Sequence, residues 1–201
     1  DMSSNVGAFE NCKNLEEVVF AGTPQVKKMW ATFKGCSSLK SVHIPASVTY
    51  LTNSPFGGCN LESVYYDGTL ENWCAISNHD SDGLTYVDKF YYKKENEYEE
   101  LINLVIPEKV TTIDTYTFKG YKGLKSVQFH EGVTAIMGSA FENCTNITSL
   151  ELPSQLKVLG SGAFGNTGIT SIVIPQYIRK IGGAFEYCGK LQNVVIHKNV
   201  E

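Results

Sequence analysis

The chain has 201 residues and a mass of 22.2 kDa, with 42% hydrophobic and 19% charged residues, a globular balance rather than a disordered one. A net charge of −4 and a pI near 5.6 provide no broad cationic field for nucleic acid or anionic lipid. No apolar run approaches the roughly 18 residues needed to span a membrane.

From its start the chain repeats itself. Asp1-Met2-Ser3-Ser4-Asn5 has neither a basic start nor an apolar signal core. Phe9 then heads a segment whose counterparts begin at Phe33, Phe56, Phe118, Phe141, Phe164 and Phe185, at intervals of 24, 23, 62, 23, 23 and 21 residues. One period near 23 with a single long interruption predicts a solenoid of stacked coils. Cys12, Cys36, Cys59, Cys144 and Cys188 each lie three residues after the repeat phenylalanine, with Tyr121 and Thr167 in the same place in two coils. Residues in one column point the same way on successive coils, which is poor geometry for a disulfide. Small buried thiols are therefore expected, without disulfides or metal.

Residues 1–66 form the N-terminal coils. Leu39, Val42 and Ile44 followed by Pro45 have the alternation of a short strand with one inward face. The proline ends the strand because it cannot donate to the ladder.

Residues 67–100 leave the period. Asp67-Gly68 is a turn pair, and Thr69 before Leu-Glu-Asn-Trp73-Cys74-Ala-Ile76 predicts an N-capped short helix with Trp73 and Ile76 facing the core. Asn78 to Gly83 matches half of a calcium loop, but Lys89 stands where the bidentate glutamate is needed, so a plain turn is expected. Leu84 to Val87 and Phe90 to Tyr92 are rich in β-formers, and Lys93 to Glu97 is a polar turn. Helix plus hairpin is the reading. The rings of Tyr65, Tyr66, Trp73, Tyr86, Phe90, Tyr91, Tyr92 and Tyr98 either plug the gap in coil stacking or form a recognition patch.

Residues 101–201 resume the period. Leu101/Leu104/Ile106, Leu124/Val127/Phe129, Ile147/Leu150/Leu152, Ile169/Ile172/Ile174 and Leu191/Val194/Ile196 repeat the strand pattern. A second apolar pair follows (Val110/Ile113, Val133/Ile136, Leu156/Leu159, Ile178/Ile181), too short for an ordinary helix and read as an extended or 3₁₀ segment on the convex side. Lys198 to Glu201 stops partway through a coil, so both ends look cut and a fragment of a longer array is expected. The whole is taken as one continuous solenoid, mainly β, with a parallel sheet on the concave side and a phenylalanine spine toward the convex side. Each coil buries about five large apolar side chains, each favoured by roughly 1.5–3 kcal/mol, and only neighbouring coils can cover them.

These units resemble the BspA-like, or Treponema-type, class of leucine-rich repeat, whose signature is a unit of roughly 23 residues ending in Ile-Gly-x-x-Ala-Phe-x-x-Cys. The likeness covers nearly all of the chain outside 67–100, and the Gly68-Thr69-x-x-x-Trp73 insertion is also similar to inserts in bacterial members. The resemblance implies a secreted or cell-surface bacterial protein, and attachment to host or matrix proteins such as fibronectin and fibrinogen, as in some members.

No chemistry stands out beside it. His43, His79, His130 and His197 lack ligand spacing, no serine or cysteine has a base and orienting partner in sequence context, and no cofactor or catalytic residue is assigned. Strand alternation leaves two outward columns on the concave sheet. The first reads Glu17, Ser41, Ser63, Asn103, Ser126, Ser149, Ser171, Asn193; the second begins at Val19 and passes through His43, Tyr65, Val105, Gln128, Glu151, Val173 and Val195. His43, Tyr65, Gln128, Glu151, Val173 and Val195 are the candidate contacts for an extracellular or host protein. A spacer that presents another domain is the alternative.

Overall fold

The computed structural model describes residues 7–77 and 87–200. Its chain divides into two compact units, Asp1–Leu101 and Ile102–Glu201. The first contains β1 (Glu17–Val18), β2 (Lys28–Trp30), β3 (Ser41–Ile44), β4 (Tyr50–Thr52), β5 (Ser63–Tyr66), α1 (Leu70–Cys74), β6 (Lys89–Lys94) and β7 (Glu97–Glu100). The second contains β8 (Asn103–Val105), β9 (Thr112–Ile113), β10 (Ser126–Gln128), β11 (Ala135–Ile136), β12 (Val158–Leu159), β13 (Ser171–Val173) and β14 (Asn193–Val195).

Each unit is a stack of β coils around a phenylalanine spine. In the first, Phe9, Phe33 and Phe56 stack at centroid distances of 5.5 and 6.1 Å, within 7° of parallel. In the second, Phe118, Phe141, Phe164 and Phe185 stack at 5.3, 5.2 and 5.9 Å. The column thiols sit beside these rings, and all six cysteines are free. Cys36, Cys59, Cys144 and Cys188 each donate to the carbonyl of the phenylalanine one coil back, at 3.0 to 3.1 Å. Cys12, in the first described coil, is exposed instead.

Backbone conformation explains why the spine can turn so sharply. The residue two after every spine phenylalanine has positive φ: Asn11, Gly35, Gly58, Gly120, Asn143, Asn166 and Tyr187. Glycine and asparagine tolerate that region best, and six of the seven positions carry one of them.

The main sheet of the first unit has the order β1-β3-β5-β6-β7. Its first three pairings are parallel and in register, Glu17 with Ser41, Ser41 with Ser63 and Ser63 with Lys89. The convex segments are extended rather than 3₁₀, and they pair as well: β2 with β4, and β9 with β11 with β12, all parallel. The segment carrying Ile178 and Ile181 forms no strand.

One local reading changes. The expected strand at 150–152 keeps its alternation, Leu150 inward and Ser149 and Glu151 outward, but makes no ladder. The main sheet of the second unit is thereby split into β8–β10 and β13–β14. The following coil is the shortest, 21 residues from Phe164 to Phe185, and it packs at Gly168 so tightly that a Cβ there would lie 2.7 Å from the Thr145 carbonyl oxygen.

The interruption forms a helix and a hairpin. Thr69 caps α1, its hydroxyl accepting from the Asn72 N–H at 3.2 Å while the Asn72 side chain accepts from the Thr69 N–H. Trp73 and Ile76 are buried. In the hairpin, Glu95 and Asn96 both have positive φ, the signature of a tight turn matched to strand twist. The first hairpin strand also does what the period did not reveal: Phe90 pairs with Val64 and Tyr91 with Tyr65, so β6 occupies the strand position of the next coil. The turn expected at Asn78 to Gly83 and the stretch from Leu84 to Tyr86 lie outside the described residues.

Candidate functional site

Strand alternation sorts the aromatic side chains of the first unit into two populations. Tyr66, Trp73 and Phe90 point inward and are fully buried, with Trp73 at 5.2 Å from Tyr66 and 4.7 Å from Phe90. These rings plug the stack where α1 replaces part of a coil. The Tyr66 hydroxyl is buried there without a partner, and burial pushes its pKa well above the ordinary tyrosine range.

The other population faces outward. His43, Tyr65 and Tyr91 occupy equivalent positions on β3, β5 and β6. Their rings stack at 4.7 Å in both steps, within 8° and 6° of parallel, because parallel strands repeat at about 4.7–4.9 Å. Tyr98 of β7 folds back over this ladder, edge-on to Tyr65 at 5.2 Å and to His43 at 5.8 Å. Its hydroxyl donates to the Asp67 carboxylate, and the His43 Nδ1 lies 3.1 Å from the same hydroxyl oxygen. Partial burial, then the bond to Asp67, push the Tyr98 hydroxyl above its usual range. The Lys93 ammonium lies 3.9 Å from the Tyr98 ring centroid, over its face. Ser41, Ser63 and Lys89 form the neighbouring column.

Of the six contacts assigned from sequence, the structure brings His43 and Tyr65 together in this cluster. Gln128, Glu151, Val173 and Val195 lie in the second unit. There they line a shallow groove of about 740 Å³ together with Ser126, Ser149, Ser171 and Asn193. All four candidate side chains are exposed, and Ser126 donates to the Asn103 side-chain oxygen at 2.8 Å. The groove holds no exposed ring and one charged residue, Glu151.

Asp67 and Lys93 were not assigned to the site from sequence, and Tyr91 and Tyr98 stood only among the eight rings of a plug or recognition patch. The signal for Tyr91 was present: Ser63-Val64-Tyr65-Tyr66 and Lys89-Phe90-Tyr91-Tyr92 align residue for residue, 26 apart. Tyr98 had no such signal, since it reaches the site only through the hairpin.

His130 has a structural role. His130 lies with Nε2 3.2 and 3.1 Å from the carbonyl oxygens of Pro107 and Val110, and its Nδ1 accepts from the Gly132 N–H. Among the described residues, no three His, Cys, Asp or Glu side chains are placed to hold a metal ion. Among the same residues no helix is long and apolar enough to cross a membrane.

A family model described as BspA-type leucine-rich repeat region matches residues 3–84 and 89–201 in six copies. Two solved structures share the fold. A leucine-rich repeat protein from Bacteroides ovatus ATCC 8483 aligns with a TM-score of 0.60 and 20% identity, over 96% of this chain and 58% of its own. A leucine-rich cell surface protein from Faecalibacterium prausnitzii A2-165 aligns with a TM-score of 0.50 and 22% identity, over 94% of this chain and 62% of its own. The chain thus spans less than two thirds of either relative. No curated protein matches it.

Proposed function

The chain belongs to the BspA-type leucine-rich repeat family, and on that premise we propose that it is a non-enzymatic protein-binding module of a secreted or surface-exposed bacterial protein. The cell-surface relative supports the compartment. Adhesion to an extracellular or host protein is the activity that fits.

The observation that carries this reading is the division of labour within the coils. Inward apolar residues are consumed by stacking, while the outward face of β3, β5 and β6 holds ordered rings that the core does not need. Tyrosine-rich surfaces with little rotational freedom favour protein contacts. Burial also pushes the Cys59 thiol up to about 11 and the Cys74 thiol to about 12, so at these two positions the thiolate needed for nucleophilic chemistry is disfavoured.

A pull-down of extracellular matrix proteins with the chain tests the proposal. Saturable capture of at least one is the expected result, and none at micromolar concentration would overturn it. The spacer reading is favoured by the second unit, whose outward column of Ser126, Ser149, Ser171 and Asn193 is small and uncharged. Under that reading, replacing His43, Tyr65 and Gln128 together leaves every activity unchanged.

A further inference from the structure

We propose that the partner is a protein, not a glycan, and that it docks on the ring edges and hydroxyls of His43, Tyr65 and Tyr91, with Tyr98 as the positioning residue. This inference rests on the protein-binding reading above and adds to it the place of contact and the chemistry of the partner.

The argument starts from which parts of the rings remain available. Both faces of Tyr65 are covered, one by His43 and the other by Tyr91, each at 4.7 Å. One face of Tyr98 carries the Lys93 ammonium at 3.9 Å, and its edge is turned to Tyr65 and His43. Aromatic platforms that bind sugars need an open ring face against which the C–H bonds of the pyranose lie. In this ladder Tyr65 keeps no open face, and His43 and Tyr91 each spend one face on it. What projects is the ring edge, the positive end of the aromatic quadrupole, and the hydroxyls of Tyr65 and Tyr91, which make no hydrogen bond among the described residues.

Such a surface offers donors and partial positive charge at fixed spacing. It matches main-chain carbonyls and carboxylates on a protein. The Ser41 and Ser63 column beside it adds hydroxyls that can donate or accept. Tyrosine with serine is the composition by which recognition surfaces combine large rigid contact area with adaptable hydrogen bonding.

Tyr98 sets the geometry. Its proton goes to Asp67, so its oxygen is left to accept, and the nitrogen of His43 that faces it, Nδ1, carries the donated proton. The chain of Asp67, Tyr98 and His43 therefore locks the first ring of the ladder, and stacking passes that orientation to Tyr65 and Tyr91. A contact surface ordered before binding loses less entropy on association.

The test presents the chain with fibronectin, fibrinogen, collagen and laminin, and in the same format with chitohexaose, cellohexaose and xylohexaose. Saturable binding to a matrix protein is expected, with none to the hexasaccharides. Tyr65→Ser with Tyr91→Ser should weaken it about tenfold or more. Tyr65→Phe with Tyr91→Phe keeps the stack if the serine pair fails to fold, and it should also weaken binding because the hydroxyls are removed. Tyr98→Phe should weaken binding about threefold or more while the circular dichroism spectrum stays unchanged. Protein binding that survives the tyrosine substitutions overturns the site but leaves the binding reading standing. Saturable hexasaccharide binding overturns the partner class. Binding to neither panel overturns both readings together.

Discussion

Every spine phenylalanine is followed, two positions later, by a residue of positive φ. Asparagine or glycine fills six of these places, and Tyr187 fills the seventh at φ 59°. A bulky L-residue in the left-handed region costs about 1–2 kcal/mol, and the Tyr187 side chain, 81% exposed, recovers little of that by packing. Tyr187→Asn should therefore stabilise the chain by about 0.5–1 kcal/mol, seen as a higher midpoint in urea unfolding; a lower midpoint would show that the ring contributes contacts the exposure hides. At the rings themselves the balance runs the other way. Phe141 is fully buried between Phe118 and Phe164, so Phe141→Ala should cost about 3–5 kcal/mol. Ser149→Ala, on the exposed face, should stay within about 0.5 kcal/mol. The same urea titration compares the two.

Among elements, α1 is the one that replaces repeat packing with something else. It has only five residues, Leu70–Cys74, too few to hold together by helix propensity. Two things secure it: the reciprocal Thr69–Asn72 cap and the burial of Leu70, Trp73 and Cys74. Thr69→Ala should cost about 1 kcal/mol. Hydrogen exchange localises the effect, with faster exchange expected at the Trp73 and Ala75 amides, which bond to the Thr69 and Glu71 carbonyls. Unchanged exchange there would mean that Trp73 packing alone holds the turn. β14 presents a related case: Asn193, Val194 and Val195 are all exposed, whereas Leu104 at the position equivalent to Val194 is fully buried. Burial, not the apolar pattern, distinguishes an inner coil from an uncovered one.

For the molecule as a whole, the titratable groups inside the coils set the response to alkali. Burial raises the Cys59 thiol to about 11, the Cys74 thiol to about 12 and the Cys144 thiol further. The Tyr92 hydroxyl is raised to about 12, first by burial and then by its bond to Glu99. In each case the folded-state value lies above the unfolded one, so the folded chain holds more protons. Stability is then full below the unfolded thiol value of about 8.5 and falls as pH rises through the folded values. The unfolding free energy should be level from pH 6 to 8 and decline between about 9 and 12, by up to about 1.4 kcal/mol per pH unit for each buried thiol. A flat profile to pH 11 would show that these thiols ionise inside the fold without loss.

The architecture was legible in the chain because each coil solves the same burial problem with the same residues. Phe141, Cys144, Ile147 and Leu150 recur at fixed offsets, and a side chain that only the next coil can cover has to reappear in the next coil. The family resemblance and the outward direction of His43 and Tyr65 followed from that regularity. Three features were decided only in three dimensions. The hairpin strand Lys89–Lys94 matches Ser63–Tyr66 in sequence, but that it pairs in register with β5 and joins the main sheet is decided by edge hydrogen bonds. The ladder breaks at Ser149–Glu151 despite intact alternation, since alternation selects the face of a side chain and does not guarantee a partner for the backbone. Tyr98 meets Asp67 and His43 across 31 and 55 residues, a contact created by chain reversal. Periodic burial is a local property repeated, so composition and spacing reveal it; a site assembled from one reversed strand exists only once the chain has folded.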